Sequence, residues 1–171
     1  MKGHVILLSV LLICGPAQAQ SSKEEQAVLI GPWKIEASFT KGQILDRCMM
    51  SRTIDNGIET RFSRDEGGTS LTLTSERWKL ENGKAYPVEF VAGRTTWKAD
   101  VAASANAVRI PLTDARFNKA LRRTNRMEVR AAGSTIRIPL NKSATALARL
   151  DSCYANNRNA IETNPFVKPK P

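Results

Sequence analysis

From Trp33 onward, apolar and polar residues alternate with a period of two: Trp33, Ile35, Ala37 and Phe39 on one side, Lys34, Glu36 and Ser38 on the other. That is the signature of a half-buried strand. A second strand around Arg47 to Ile54 runs into the turn signal Asp55-Asn56-Gly57, where two registers compete. An Asn-Gly turn sets Arg52 opposite Arg61. A longer loop with Gly57 in the left-handed region instead pairs Ile54 with Ile58, Arg52 with Thr60 and Met50 with Phe62, so apolar residues meet, and this register is preferred. It points Cys48 the same way as Met50 and Ile54, toward the core. A turn at Asp65-Glu66-Gly67-Gly68 then sets Phe62 against Leu71 and Thr60 against Leu73. Further strands are expected at Trp78 and Leu80, at Tyr86-Val88-Phe90 and at Trp97-Ala99-Val101, with turns at Asn82-Gly83 and Gly93. Through Ala107 the chain reads as an antiparallel meander.

After Ala107 the pattern changes. Val108 to Arg123 (VRIPLTDARFNKALRR) and Ile136 to Leu150 (IRIPLNKSATALARL) share one grammar: an apolar-Arg-Ile-Pro-Leu strand, a capping Thr113 or Asn141, then a helical run. The copies are offset by 28 residues, and ordinary strand-to-helix chemistry accounts for the likeness better than an old duplication does. Pro111 and Pro139 lack an amide donor and belong at strand ends or sheet edges. Between the copies, a hairpin about Ala132-Gly133 pairs Val129 with Ile136, Met127 with Ile138 and Glu128 with Arg137, leaving one apolar face and one charged face. The last helix places Leu147, Leu150 and Tyr154 on one stripe with Cys153 beside Leu150, so it should lie on the core face of the meander, within reach of Cys48. The expected fold class is α+β: an antiparallel β-meander or partly open sandwich of about eight or nine strands, with two helices in the C-terminal third and one disulfide.

The start of the chain reads differently. Residues 1–19 show Lys2, an apolar run Val5 to Cys14 and the small-residue pattern Ala17-Gln18-Ala19, the order of a Sec-type signal peptide cleaved after Ala19. A lipoprotein reading of Cys14 wants a small residue before it, and Ile13 stands there. Residues 20–30 are expected to be a loose lead-in, 31–155 a single globular domain and 156–171 a mobile Pro/Lys-rich tail, with no transmembrane segment in the mature protein. The expected location is periplasmic or secreted.

Cleavage changes the chemistry. It leaves two of the three cysteines, Cys48 and Cys153, which in an oxidising compartment pair most simply as a disulfide. Closing a loop of that length is worth about 4 to 5 kcal/mol in the chain-entropy model. Cleavage also removes His4, the only histidine. The mature chain then lacks the usual general base, the usual metal ligand and every histidine-activated nucleophile. No catalytic residue, metal or cofactor is therefore expected. Ser38-Phe39-Thr40-Lys41 fits a Ser-x-x-Lys pattern, but no Ser-Asp-Asn or Lys-Thr-Gly follows. Asp65-Glu66 before two glycines is turn chemistry, and the three tryptophans sit in strand patterns as core residues.

Charge is unevenly placed. The net charge is +10. Residues 20–107 hold 12 basic and 12 acidic side chains, whereas residues 108–150 hold 10 and 2. The anion-binding candidates are Arg109, Arg122, Arg123, Arg126, Arg130 and Arg137, because clustered guanidinium groups attract phosphates and carboxylates.

The opening GPWKIEA (Gly31 to Ala37), a cysteine some fifteen residues after Trp33 and the closing IPLNKSATALARLDSC (Ile138 to Cys153) give the chain a likeness. Together with the signal, they resemble the small exported proteins of the invasion-associated locus B type from alphaproteobacteria. The resemblance implies a periplasmic or envelope β-rich domain with a C-terminal helix, of non-enzymatic or unknown activity. The expected function is a non-catalytic binding or accessory protein whose Arg-rich face engages an anionic envelope component (lipid phosphate, polysaccharide or peptidoglycan) or an acidic protein. Nucleic acid is not an expected partner, since no nucleic-acid-binding motif is present. The alternative is an inhibitor of a periplasmic or foreign hydrolase.

Overall fold

The computed structural model describes residues 27–40 and 44–158. The expected signal peptide with Cys14 and His4, Lys41 of the Ser-x-x-Lys pattern, and the tail from residue 159 lie outside the described residues. Ten strands form one antiparallel sheet: β1 (Val28–Ile30), β2 (Trp33–Phe39), β3 (Leu45–Ile54), β4 (Ile58–Asp65), β5 (Gly68–Thr74), β6 (Ala85–Ala92), β7 (Thr95–Ser104), β8 (Ala107–Pro111), β9 (Arg126–Ala131) and β10 (Ser134–Pro139). Two helices complete it, α1 (Ala115–Leu121) and α2 (Ser143–Arg158). The strand count exceeds the expected eight or nine. β1 lies in the segment read as a lead-in, and α2 runs three residues past the expected domain end.

The hairpin registers are those that apolar matching dictates. Ile54 pairs with Ile58, Met50 with Phe62, Phe62 with Leu71, and Val129 with Ile136. At the first turn Asn56 and Gly57 both adopt left-handed backbone, φ 69° and 71°, which glycine and asparagine tolerate best. Pro111 and Pro139 each end a strand, and β10 is a sheet edge. The expected strand at Trp78 and Leu80 is absent. Instead, the connection from β5 to β6 follows the β7–β8 turn: the amides of Ser75, Leu80 and Gly83 donate to the carbonyls of Asn106, Ala105 and Ala103. Bonds to the tip of a hairpin do not form a ladder, although the side chains alternate.

That connection produces the one departure from a simple meander. The strand order is β1-β2-β3-β4-β5-β8-β7-β6-β9-β10. The β6–β8 unit folds back so that β8 pairs with β5, and the outward edge of β6 takes the β9–β10 hairpin. β3 and β10 are seven places apart in this order, about 34 Å if the sheet were flat. Yet Arg52 Nη1 on β3 donates to Pro139 O at 3.1 Å and to Asn141 Oδ1 at 2.9 Å, and Trp33 Nε1 donates to Asn141 O at 3.0 Å. The sheet is therefore strongly curled, and its two ends meet. Gly31 belongs to this closure, since a Cβ there would stand 3.0 Å from the Lys142 side chain.

The concave side holds one apolar core to which both ends of the sheet contribute, including Trp33, Phe62, Phe90, Met127 and Ile138. α1 docks on β6 and β7 through Phe117, whose ring lies 6.0 Å from Phe90 and 5.5 Å from Trp97. Asp114 caps α1 by accepting from the Phe117 amide at 2.7 Å, one residue after the expected Thr113. α2 lies across β3, with β2 and β4 beside it. It buries Ala146, Leu147, Leu150 and Tyr154 at helical spacing. Asn141 has its side chain directed to Arg52, in place of the expected capping role. Cys153 on α2 is bonded to Cys48 on β3, with Cα atoms 6.1 Å apart. Among the described residues, no helix is long and apolar enough to cross a membrane.

Candidate functional site

Strand alternation places four of the six candidate arginines on the convex face of the sheet: Arg109 on β8, Arg126 and Arg130 on β9, and Arg137 on β10. Each has an acidic partner there. Arg109 lies 3.2 Å from Asp65 and donates to Ser70 Oγ at 3.3 Å. Glu128 collects the other three, with Arg130 at 2.8 Å and Arg126 and Arg137 at 3.9 Å. Glu89 on β6 reaches Arg130 at 3.1 Å. The hydrogen bond from Arg130, opposed by partial burial and reinforced by the charges of Arg130, Arg126 and Arg137, holds the Glu128 carboxyl below the usual carboxylate range. The β9–β10 strip is thus an ion-pair network, and much of its positive potential is answered locally.

Arg122 and Arg123 stand elsewhere, at the end of α1. The helix side of the molecule carries the excess. From Asp114 to Arg123, four basic side chains stand against Asp114, and from Asn141 to Arg158 three stand against Asp151. Lys119, Arg123, Lys142 and Arg149 are exposed and make no ion pair among the described residues. Arg122 is paired with Asp151 at 2.7 Å. The structure therefore divides the six candidates between a neutralised convex face and a basic helix side.

Between α1 and α2, over β4, lies a cleft of about 380 Å³. Its charged lining is Arg64, Arg122, Asp151 and Arg158, with Leu121 and Leu147 among its apolar walls. Arg64 donates through Nη1 to Thr69 Oγ1 at 3.3 Å, and its guanidinium lies over the Tyr154 ring at 5.5 Å. No three of His, Cys, Asp and Glu gather among the described residues. What gathers here is arginine, whose planar fork matches oxyanions.

Arg64 was not among the sequence candidates, although a signal existed. It shares strand phase with Ile58, Thr60 and Phe62, all buried, so it is a cation on the core-facing side of β4. Arg52, in phase with Cys48, Met50 and Ile54, is the same anomaly at the other end of α2. Arg158 fell in the segment read as a tail. No signal in the chain could bring these residues together with Arg122, because α1 and α2 meet only through the fold.

No family model and no curated protein matches the chain. Among solved structures, the fold is similar to that of invasion associated protein B from Bartonella henselae, with a TM-score of 0.57 and 18% identity. The match covers 77% of this chain and 98% of that one. The likeness read from GPWKIEA and the closing helix therefore extends to the fold.

Proposed function

We propose that the chain is a non-catalytic accessory protein of the bacterial envelope, exported through its N-terminal signal, whose basic helix side docks an anionic envelope component such as lipid phosphate. The observation that carries this reading is the unequal pairing of its cations. The convex arginines are bridged by Glu128, Glu89 and Asp65, whereas Lys119, Arg123, Lys142 and Arg149 on the helix side have no ion-pair partner among the described residues. An unneutralised basic surface attracts anions over about a Debye length, 8 to 10 Å near physiological salt. The fold shared with invasion associated protein B and the absence of histidine after residue 4 are compatible with this role.

Co-sedimentation of the mature protein with vesicles containing phosphatidylglycerol tests the proposal. Retention should fall at least tenfold between about 50 and 200 mM salt if several phosphates are contacted. Replacing Lys119, Arg123 and Arg149 together with Gln should weaken retention more than replacing Arg126, Arg130 and Arg137. Equal loss from both triple variants, or no retention at low salt, would sink it.

A further inference from the structure

Three buried side-chain polar atoms have no hydrogen-bond partner among the described residues: Arg52 Nε, Thr60 Oγ1 and Ser143 Oγ. Thr60 is 0% exposed and Ser143 1%. A buried polar group left unpaired is costly and calls for an explanation. The fold brings the three together. Arg52 on β3 is the cross-strand partner of Thr60 on β4, so both side chains stand on the concave face beneath α2. Ser143 opens the buried stripe of α2, whose other end is Tyr154, stacked with Arg64. From Arg64 back to Thr60 is about 13 Å of strand, and from Tyr154 back to Ser143 about 16 Å of helix. The start of α2 therefore overlies the Arg52–Thr60 pair, in keeping with the 2.9 Å bond from Arg52 to Asn141 just before the helix.

The partners Arg52 does have are neutral: the Pro139 carbonyl, the Asn141 side chain and the Trp33 ring. It makes no ion pair among the described residues. The positive end of the α2 dipole adds to its charge. A guanidinium N–H only donates, and both hydroxyls can rotate to donate. A cation is repelled here. A water molecule would leave the Arg52 charge unanswered, whereas a monatomic anion needs only donors and neutralises that charge. All three atoms are shut off from solvent, and a phosphate would have to lift α2 from the sheet.

We propose that Arg52, Thr60 and Ser143 bind a monatomic anion, chloride, beneath the N-terminus of α2. The ion fastens the start of the helix to β3 and β4 at the point where Arg52 joins the two ends of the sheet. This site is separate from the exposed cations of the helix side and does not depend on their docking role.

Thermal unfolding of the mature protein at constant ionic strength, with sodium chloride or bromide replacing sodium gluconate, provides the test. Gluconate is too large for the site. Above the dissociation constant, each tenfold rise in halide should raise the melting temperature by about 3 to 5 °C, because a ligand held only by the folded state stabilises it by mass action. Thr60→Val and Ser143→Ala each remove one donor and should lose most of the halide response. In gluconate alone, Thr60→Val should melt no lower than wild type, since it deletes a buried hydroxyl that has no partner there. Lys119→Gln, on the exposed helix side, should respond as wild type does. Arg52→Gln should abolish the response; because Arg52 also joins the sheet ends, the two hydroxyl variants keep the test open should it fail to fold. Crystals grown in bromide should show an anomalous peak among Arg52 Nε, Thr60 Oγ1 and Ser143 Oγ. Equal melting temperatures in chloride and gluconate, as an ordered water in place of the ion would give, would overturn the site. So would a halide response that survives intact in both hydroxyl variants.

Discussion

Glu128 shows how one side chain sets the character of a surface. Its carboxylate lies within 4 Å of three arginines, and their hydrogen bonding and charge depress its pKa. A carboxyl whose folded pKa lies below its unfolded value of about 4.3 contributes stability that is fully present above that value and lost as pH falls through the folded one. Urea midpoints measured from pH 6 down to about pH 2.5 should therefore decline on the acid side. In Glu128→Gln the decline should be shallower and the neutral-pH midpoint lower, since three arginines would face one another without their shared partner. An unchanged acid limb in that variant would show that the strip adds nothing to pH-dependent stability. At this scale the sequence is informative but incomplete: Glu128 opposite Arg137 is legible from the hairpin register, whereas Glu89 beside Arg130 requires β6 to pair with β9.

Among the elements, α2 is the one fixed most firmly. Its apolar stripe covers β3, and Cys153 ties it covalently to Cys48 across 105 residues of chain. Cys153→Ser should destabilise the protein by up to about 4 to 5 kcal/mol, a fall in melting temperature of roughly 10 °C for a chain of this size. Hydrogen exchange should speed up first along α2. A melting temperature within 2 °C of wild type would mean that burial of Leu147, Leu150 and Tyr154 alone holds the helix, with roughly that shift expected per kcal/mol. The helix and its sulfur partner are both readable from spacing, because i, i+3, i+4 periodicity and strand phase are local properties. Trp78 to Leu80 shows the limit of that reading. The alternation is real, but the nearest backbone is the β7–β8 turn rather than an extended strand.

For the molecule as a whole, the curl of the sheet governs both stability and the placement of charge. Closure rests on Trp33, Arg52 and Asn141, with the Arg52 guanidinium 5.4 Å from the Trp33 ring. Trp33→Phe leaves the Asn141 carbonyl without its donor and should cost about 1 to 3 kcal/mol in chemical denaturation. A loss below 0.5 kcal/mol, within the usual scatter of surface substitutions, would show that the ends meet without mutual support. Curling turns one face of every strand inward and leaves the other to the paired convex charges, while exposed cations without an ion pair among the described residues stand on the helices and their flanking turns and, at Arg77, Lys79 and Arg94, in the connections on either side of β6. By itself the sequence determined every strand except β1, three hairpin registers, the two helices and the sulfur pairing, while adding a strand at Trp78 to Leu80 that does not form, because each of these follows from contacts between neighbours along the chain or from the residues available to pair. The tertiary structure alone decided that β8 docks on β5, that the ends of the sheet meet, and that Arg64, Arg122 and Arg158 converge. Those outcomes depend on which edges and faces find each other across long loops, and a periodicity of two or of 3.6 residues carries no record of that.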